Sequence, residues 1–199
     1  MAVVKGYLAK VYASSPTSTT FTNETMTEVE PYIYQIDNIL MQVWDPSVGI
    51  AISEGTLDHS WMDRGVDWFT GRVKLNETGL TVTASGGYFS TLIEVGEAYN
   101  WSLDIAADIV DTSTFGDEWK KKTALQNTWT GSFEKFMLDD YWFDALSKFF
   151  IVKFYTDTNK GYQGFCVIPS LSTSASITDV VKETVGLEGH WKIIKFNEA

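Results

Sequence analysis

Apolar residues in this 199-residue chain recur mainly at every second position, the spacing of strands with one buried face. Residues 3–13 alternate in this way and predict a strand. The following "SSPTSTTFTNETMTEVEP" has Phe21 and Met26 as its main apolar anchors and predicts a polar loop or arm over about residues 14–31. Residues 32–36 and 39–43 predict short strands. "WDP" at 44–46 predicts a turn, because the residue before a proline is held extended. From about 45 to 66 the pattern weakens around Gly49, Gly55 and Gly65, which predicts a long loop with room for a hairpin of its own. Residues 66–75 and 80–85 flank "NETG" as a hairpin, with Leu80, Val82 and Ala84 on one face, and "SGGY" is expected to end the second strand.

Residues 97–109 carry Tyr99, Trp101, Leu103 and Ile105 at period two, with Asn100, Ser102 and Asp104 on the opposite face. "LDDYWFDALSKFF" predicts the one helix, capped by Asp139 or Asp140, with Trp142, Leu146 and Phe149 at helical spacing. "FIVKFYTD" and "YQGFCVIP" flank "TNKG" as a second hairpin, and "SLSTSASI" and "ETVGLEGHW" add two strands. About ten strands and one helix predict a single mostly β domain over residues 1–199: a two-sheet sandwich or barrel with a flanking helix and long loops.

Composition narrows the function. Against 15 basic residues stand 26 acidic ones, a formal charge of -11, which excludes a tight grip on DNA but allows a surface that DNA slides past. Cys166 is the only cysteine, so an internal disulfide framework is excluded, and its setting in "GFCVI" predicts a buried, inert thiol. No window approaches a membrane span and the start lacks a signal-peptide core, so the expectation is a protein made in a cytoplasm, with the sequons at Asn23, Asn76 and Asn100 there by chance. His59 and His190 lack ligand spacing, and the familiar catalytic motifs are missing. No enzyme activity, metal or cofactor is therefore expected. Asp139 and Asp140 could do acid and base work on a glycoside, but a capping role accounts for them better. Among eight tryptophans, Trp44, Trp61, Trp68, Trp119 and Trp129 lie beside polar residues. They suit either a carbohydrate-stacking platform or, the stronger reading, core and subunit-interface packing.

One stretch supplies a further clue. "TFGDEWKK" followed by "TWTGSFEKF", with "TFTNETMTEVE", "VWDPS" and the closing "KFYTDTNKGYQGFCVIPSLSTSASITDVVKETVGLEG", resembles the major tail tube proteins of long-tailed phages nearly from end to end. The chain departs from many relatives in having "KTALQNT" where they carry Pro-Gly-Leu. The resemblance implies a tail-tube β-sandwich with one flanking helix. Its copies would form hexameric rings that stack into the tube channelling the genome, with tape-measure, terminator and distal-tail proteins as partners and DNA present only transiently in an acidic lumen. Such a protein would be assembled in the host cytoplasm and reside in the virion. On that reading Trp44, Asp45, Trp61, Arg64 and Trp68 are expected at contacts between stacked rings, and Glu94, Glu97 and Asp104 on the channel wall. "TFGDEWKKKTALQNTWTGSF" would be a connector anchored by its aromatics. The neighbouring readings are another tail protein of the same fold, terminator or distal tail, and a tryptophan-rich carbohydrate-binding module.

Overall fold

The computed structural model describes residues 10–90, 92–96, 98–116, 118–136, 141–176 and 179–198. Most of the expected strand at 3–13, together with Glu97, Asp139 and Asp140, lies outside them. The described chain is mostly β. Its strands are β1 (Val11–Ser14), β2 (Thr19–Glu30), β3 (Ile33–Ile36), β4 (Ile50–Ile52), β5 (Val66–Asp67), β6 (Arg72–Lys74), β7 (Val82–Tyr88) and β8 (Leu92–Glu94). There follow β9 (Ala98–Asp111), β10 (Lys122–Phe136), the short helix α1 (Tyr141–Asp144), β11 (Phe149–Asp157), β12 (Lys160–Val167), β13 (Leu171–Ser176) and β14 (Asp179–Asn197). They form two antiparallel sheets in two compact units, residues 14–92 and residues 1–13 with 93–199.

The unit of residues 14–92 orders its strands β4-β7-β2-β3-β6-β5. Here the expected arm is corrected: Thr19–Glu30 is a twelve-residue strand paired with β3 and β7. Its threonines are β-branched and favour extended backbone. Phe21 and Met26 are both buried although five residues apart, which strict alternation forbids. A bulge at Asn23, whose φ is +55°, shifts the register between Phe21 and Glu24 and restores the face.

The "NETG" hairpin is also corrected, because β6 pairs with β3 and β5 while β7 pairs with β2 and β4. "SGGY" does not end β7 but lies within it. A methyl group on Gly86 would meet Ile50 Cδ1 at 2.4 Å, so the glycine lets the 49–50 segment approach. Residues 39–41 form a 3₁₀ turn capped by the Asn38 side chain instead of a strand. The expected long loop holds β4 and is tied to its neighbours by backbone bonds from Asp58 N to Lys74 O (2.8 Å) and Asn76 N to Thr56 O (2.9 Å).

The second unit orders its strands β8-β1-β11-β12-β14-β10-β9, with β13 also on β14. The "TNKG" hairpin is present as β11 and β12, closing at Asp157 opposite Lys160. In the sheet order, β14 joins the β9–β10 pair to the remaining strands. One face buries Phe133, Trp142, Phe150, Phe154, Cys166 and Val185. Burial pushes the Cys166 thiol well above its ordinary pKa. Lys135 and Glu183, paired across β10 and β14, are buried as an ion pair at 3.8 Å. The helix is much shorter than expected. Ser147 takes the left-handed backbone conformation (φ +61°) just after α1, and the β-branched and aromatic run from Phe149 continues as strand.

Candidate functional site

The feature that stands out is the outer half of the β9–β10 pair. These strands pair with each other from Ala98 opposite Lys135 to Asp111 opposite Lys122, but β10 pairs with β14 only from Phe136 back to Thr130. Beyond that point, 105–111 and 122–128 run on as a two-stranded ribbon about 25 Å long at roughly 3.4 Å per residue. Every residue in those two segments is exposed.

The branch point is set by Trp129. Its ring lies against Gly164 of β12 and Gly189 of β14, where a methyl group on either glycine would come within 2.4 and 2.3 Å of the indole. Its Nε1–H donates to the Trp191 carbonyl at 3.2 Å. In β14 the pairing partner changes from Phe165 at His190 to Gln163 at Ile194, so residues 191–193 bulge opposite Gly164, with Trp191 at φ +63°. A bulge bends a strand and ends its pairing. This one sits where β14 and β10 part.

The two faces of the ribbon differ. On the side of the core residues Trp101, Leu103 and Phe133, alternation continues outward through Ile105, Ala107 and Ile109. Ile105 is 55% and Ile109 60% exposed, and Leu125, at a bulge in β10, is 63% exposed. Along the opposite face β9 carries Asn100, Ser102 and Asp104 where β10 still pairs with β14, and Ala106, Asp108 and the exposed Val110 in the ribbon itself, with Thr128 of β10 opposite Ala106. Ser102 and Ser132 hydroxyls lie 2.9 Å apart across it.

Thr112 N donates to Lys121 O, and Lys121 N to Ser113 Oγ, each at 2.9 Å, which closes the tip. Bonds from Ser113 hold the Asp111 carboxyl below its usual range. The stretch expected to be a connector is corrected to β10 and this tip. Its Phe115 is fully exposed and its Trp119 83% exposed, so neither anchors it within the chain. Lys120, Lys121 and Lys122 are exposed beside them.

The residues expected at ring contacts divide. Trp44 and Trp68 are buried rather than exposed: Trp44 stacks on Phe21 at 6.0 Å, and Trp68 Nε1 donates to Asp63 Oδ2 at 2.8 Å. Asp45 is buried too and accepts from Ser47 N (2.9 Å) and Ser47 Oγ (2.6 Å), a turn-forming role. Trp61 is half-buried and Arg64, at φ +54°, is exposed.

The expected wall carboxylates are not brought together. Asp104 stands exposed on β9 at the base of the ribbon. Glu94 accepts from Lys10 Nζ (2.9 Å) and the Tyr12 hydroxyl (3.0 Å), and the bond from Lys10 lowers its pKa. A matching trio lies nearby in the same sheet, where Glu198 accepts from Lys153 Nζ (2.9 Å) and the Tyr155 hydroxyl (3.1 Å). Tyr12 and Tyr155 meet at 5.1 Å between ring centroids, and burial, with Glu198 next, pushes Tyr155 up to about 12.

His59 and His190 are both exposed, His190 edge-on to Phe149 at 4.8 Å. Among the described residues no group of three His, Cys, Asp or Glu could hold a metal ion, and no helix is long and apolar enough to cross a membrane. In comparisons with known proteins, no family model and no curated protein matches the chain.

Proposed function

We propose that the protein is a self-assembling structural subunit of the phage tail tube type. Copies form hexameric rings, and stacked rings make the tube through which the genome passes. The observation that carries this reading is the ribbon, which extends the core's apolar face into solvent. A lone two-stranded ribbon is marginal in water, and Ile105, Ile109 and Leu125 invite a covering surface. The work is mechanical, with no bond made or broken, and tape-measure, terminator and distal-tail proteins would meet the tube at its ends. A place in the virion after assembly in a host cytoplasm follows from the same reading.

A formal charge of -11 per copy, repeated around a ring, suits a channel that must not hold DNA. Asp104 fits such a wall better than Glu94, whose charge is offset by Lys10. A carbohydrate-stacking platform needs several exposed rings, and of its candidates Trp44, Trp68 and Trp129 are buried and Trp61 half-buried, which leaves Trp119 at the ribbon's tip. Size-exclusion chromatography with electron microscopy tests the reading: rings or tubes are expected. A monomer at every concentration would overturn it, and a single ring that never stacks would point to a terminator or distal-tail subunit.

A further inference from the structure

We propose that the ribbon of one copy adds, through the outer edge of β9, to the open edge of β14 at 193–197 in a second copy. This rests on the assembly reading and names both halves of its contact. The donor edge is long, because β9 closes the sheet order and no described strand pairs with its outer side. The acceptor is created by the same bulge that releases the ribbon. Beyond Glu188, β14 pairs with β12 along one edge, and no described strand takes the other. Unpaired edges of this kind are templates for strand addition.

Side chains favour the match. Ile193 is half-buried on the same face as Lys195 and so comes beside Ile109 in the paired strands, while Ile194, half-buried on the other face, comes beside the exposed Val110. From residue 104 outward β9 carries Asp104, Asp108 and Asp111 and no cation, whereas residues 190–197 carry Lys192 and Lys195 and no carboxylate. Paired strands lie about 4.8 Å apart, well inside a screening length of about 10 Å, so these charges attract whichever face each occupies.

Area sets the form of the assembly. The acceptor edge spans only five residues, about 17 Å at roughly 3.4 Å per residue, so one such contact falls short of the roughly 800 Å² per partner of a stable interface. One contact is too small for a lasting dimer. A copy that both gives its ribbon and receives another doubles the area. Because donor and acceptor are different surfaces, the contact is head-to-tail, and it either closes into a ring or continues as a helix.

Cysteine cross-linking tests this directly, since the buried Cys166 gives little background. One preparation carries Ile109→Cys and another Lys195→Cys, both at exposed positions, so each is expected to fold. Mixed and oxidised, they should give I109C–K195C dimers at least tenfold over either homodimer, with Ala107→Cys and Asn197→Cys behaving alike. Assembled particles whose ribbon cysteines link to each other, or to neither β14 position, overturn this contact while leaving self-assembly standing. A chain that stays monomeric overturns both, as does one whose ribbon is shielded instead by phosphatidylcholine–phosphatidylglycerol vesicles in a flotation assay.

Discussion

Replacing Ile105, Ile109 and Leu125 together with threonine would separate assembly from folding. Threonine keeps the β-branching of Ile105 and Ile109 and introduces it at Leu125, a shape that a strand prefers, so the ribbon should persist. The three side chains are already 55–63% exposed, so the isolated subunit loses little, and exposed sites usually shift stability by no more than about 0.5 kcal/mol. In a covered ribbon each substitution removes apolar carbon and adds a hydroxyl. At about 0.8 kcal/mol per buried CH₂, and with just over half of each side chain left to bury, the loss is about 1 kcal/mol per residue. Three such losses raise the concentration needed for assembly about a hundredfold, at 1.4 kcal/mol per decade. Sedimentation or light scattering across a dilution series reads the threshold, and thermal melting of the dilute monomer reads stability. An unchanged threshold would refute the ribbon's role, and a monomer melting many degrees lower would show that these residues serve the fold.

Gly189→Ala should destabilise the monomer by about 1–3 kcal/mol, because the new methyl would overlap the Trp129 ring at 2.3 Å and the buried indole has little room to yield; urea unfolding measures it. Lys135→Met should cost about 3–5 kcal/mol by leaving Glu183 buried without its lysine, and adding Glu183→Met should recover most of the loss in the same assay. Bonds from the Ser60 hydroxyl, Lys74 and the Ser60 backbone lower Asp58 from 3.8 to about 2, so its contribution is full above pH 3.8 and is lost as pH falls through about 2. Asp58→Asn should flatten the acid-unfolding curve between those values, and an unchanged curve would count against the assignment. Joint replacement of Trp61 and Arg64 by alanine should leave rings intact but shorten tubes in electron micrographs, and tubes of full length would remove these residues from the ring contacts.

The sequence made the strand content legible, and the reasons for its failures are local. Residues 149–167 were readable because clean alternation flanks a turn-forming "TNKG". The strand at 19–30 was hidden by its own bulge: Phe21 and Met26 share a buried face only because Asn23 breaks the alternation used to find strands. Trp142, Leu146 and Phe149 imitate a helix, but the left-handed Ser147 and the aromatic run beyond it divide them between a turn of helix and a strand. Partner choice could be read for β11 and β12 but not for β6 and β7, which lie close in sequence yet bond to different neighbours. Of the candidate site, the alternation in β9 was visible as far as Ile105. That β10 leaves β14 at Trp129 depends on Gly164 and Gly189, glycines far apart in sequence that meet one indole ring.

The joining role of β14 has a kinetic consequence. Without it the sheet falls into two pieces, the β9–β10 hairpin and the β8-β1-β11-β12 strands. During synthesis the hairpin can form as soon as residue 136 has emerged, but it has no berth until residues 182–188 follow some fifty positions later. At a translation rate of roughly 5–20 residues per second, that interval lasts several seconds, far longer than the microseconds a hairpin needs to close. Polysomes would therefore hold rows of finished hairpins before any acceptor strand exists, so neighbouring nascent chains can exchange or tangle hairpins at this stage, and a chaperone bound to 105–128 would act most usefully then.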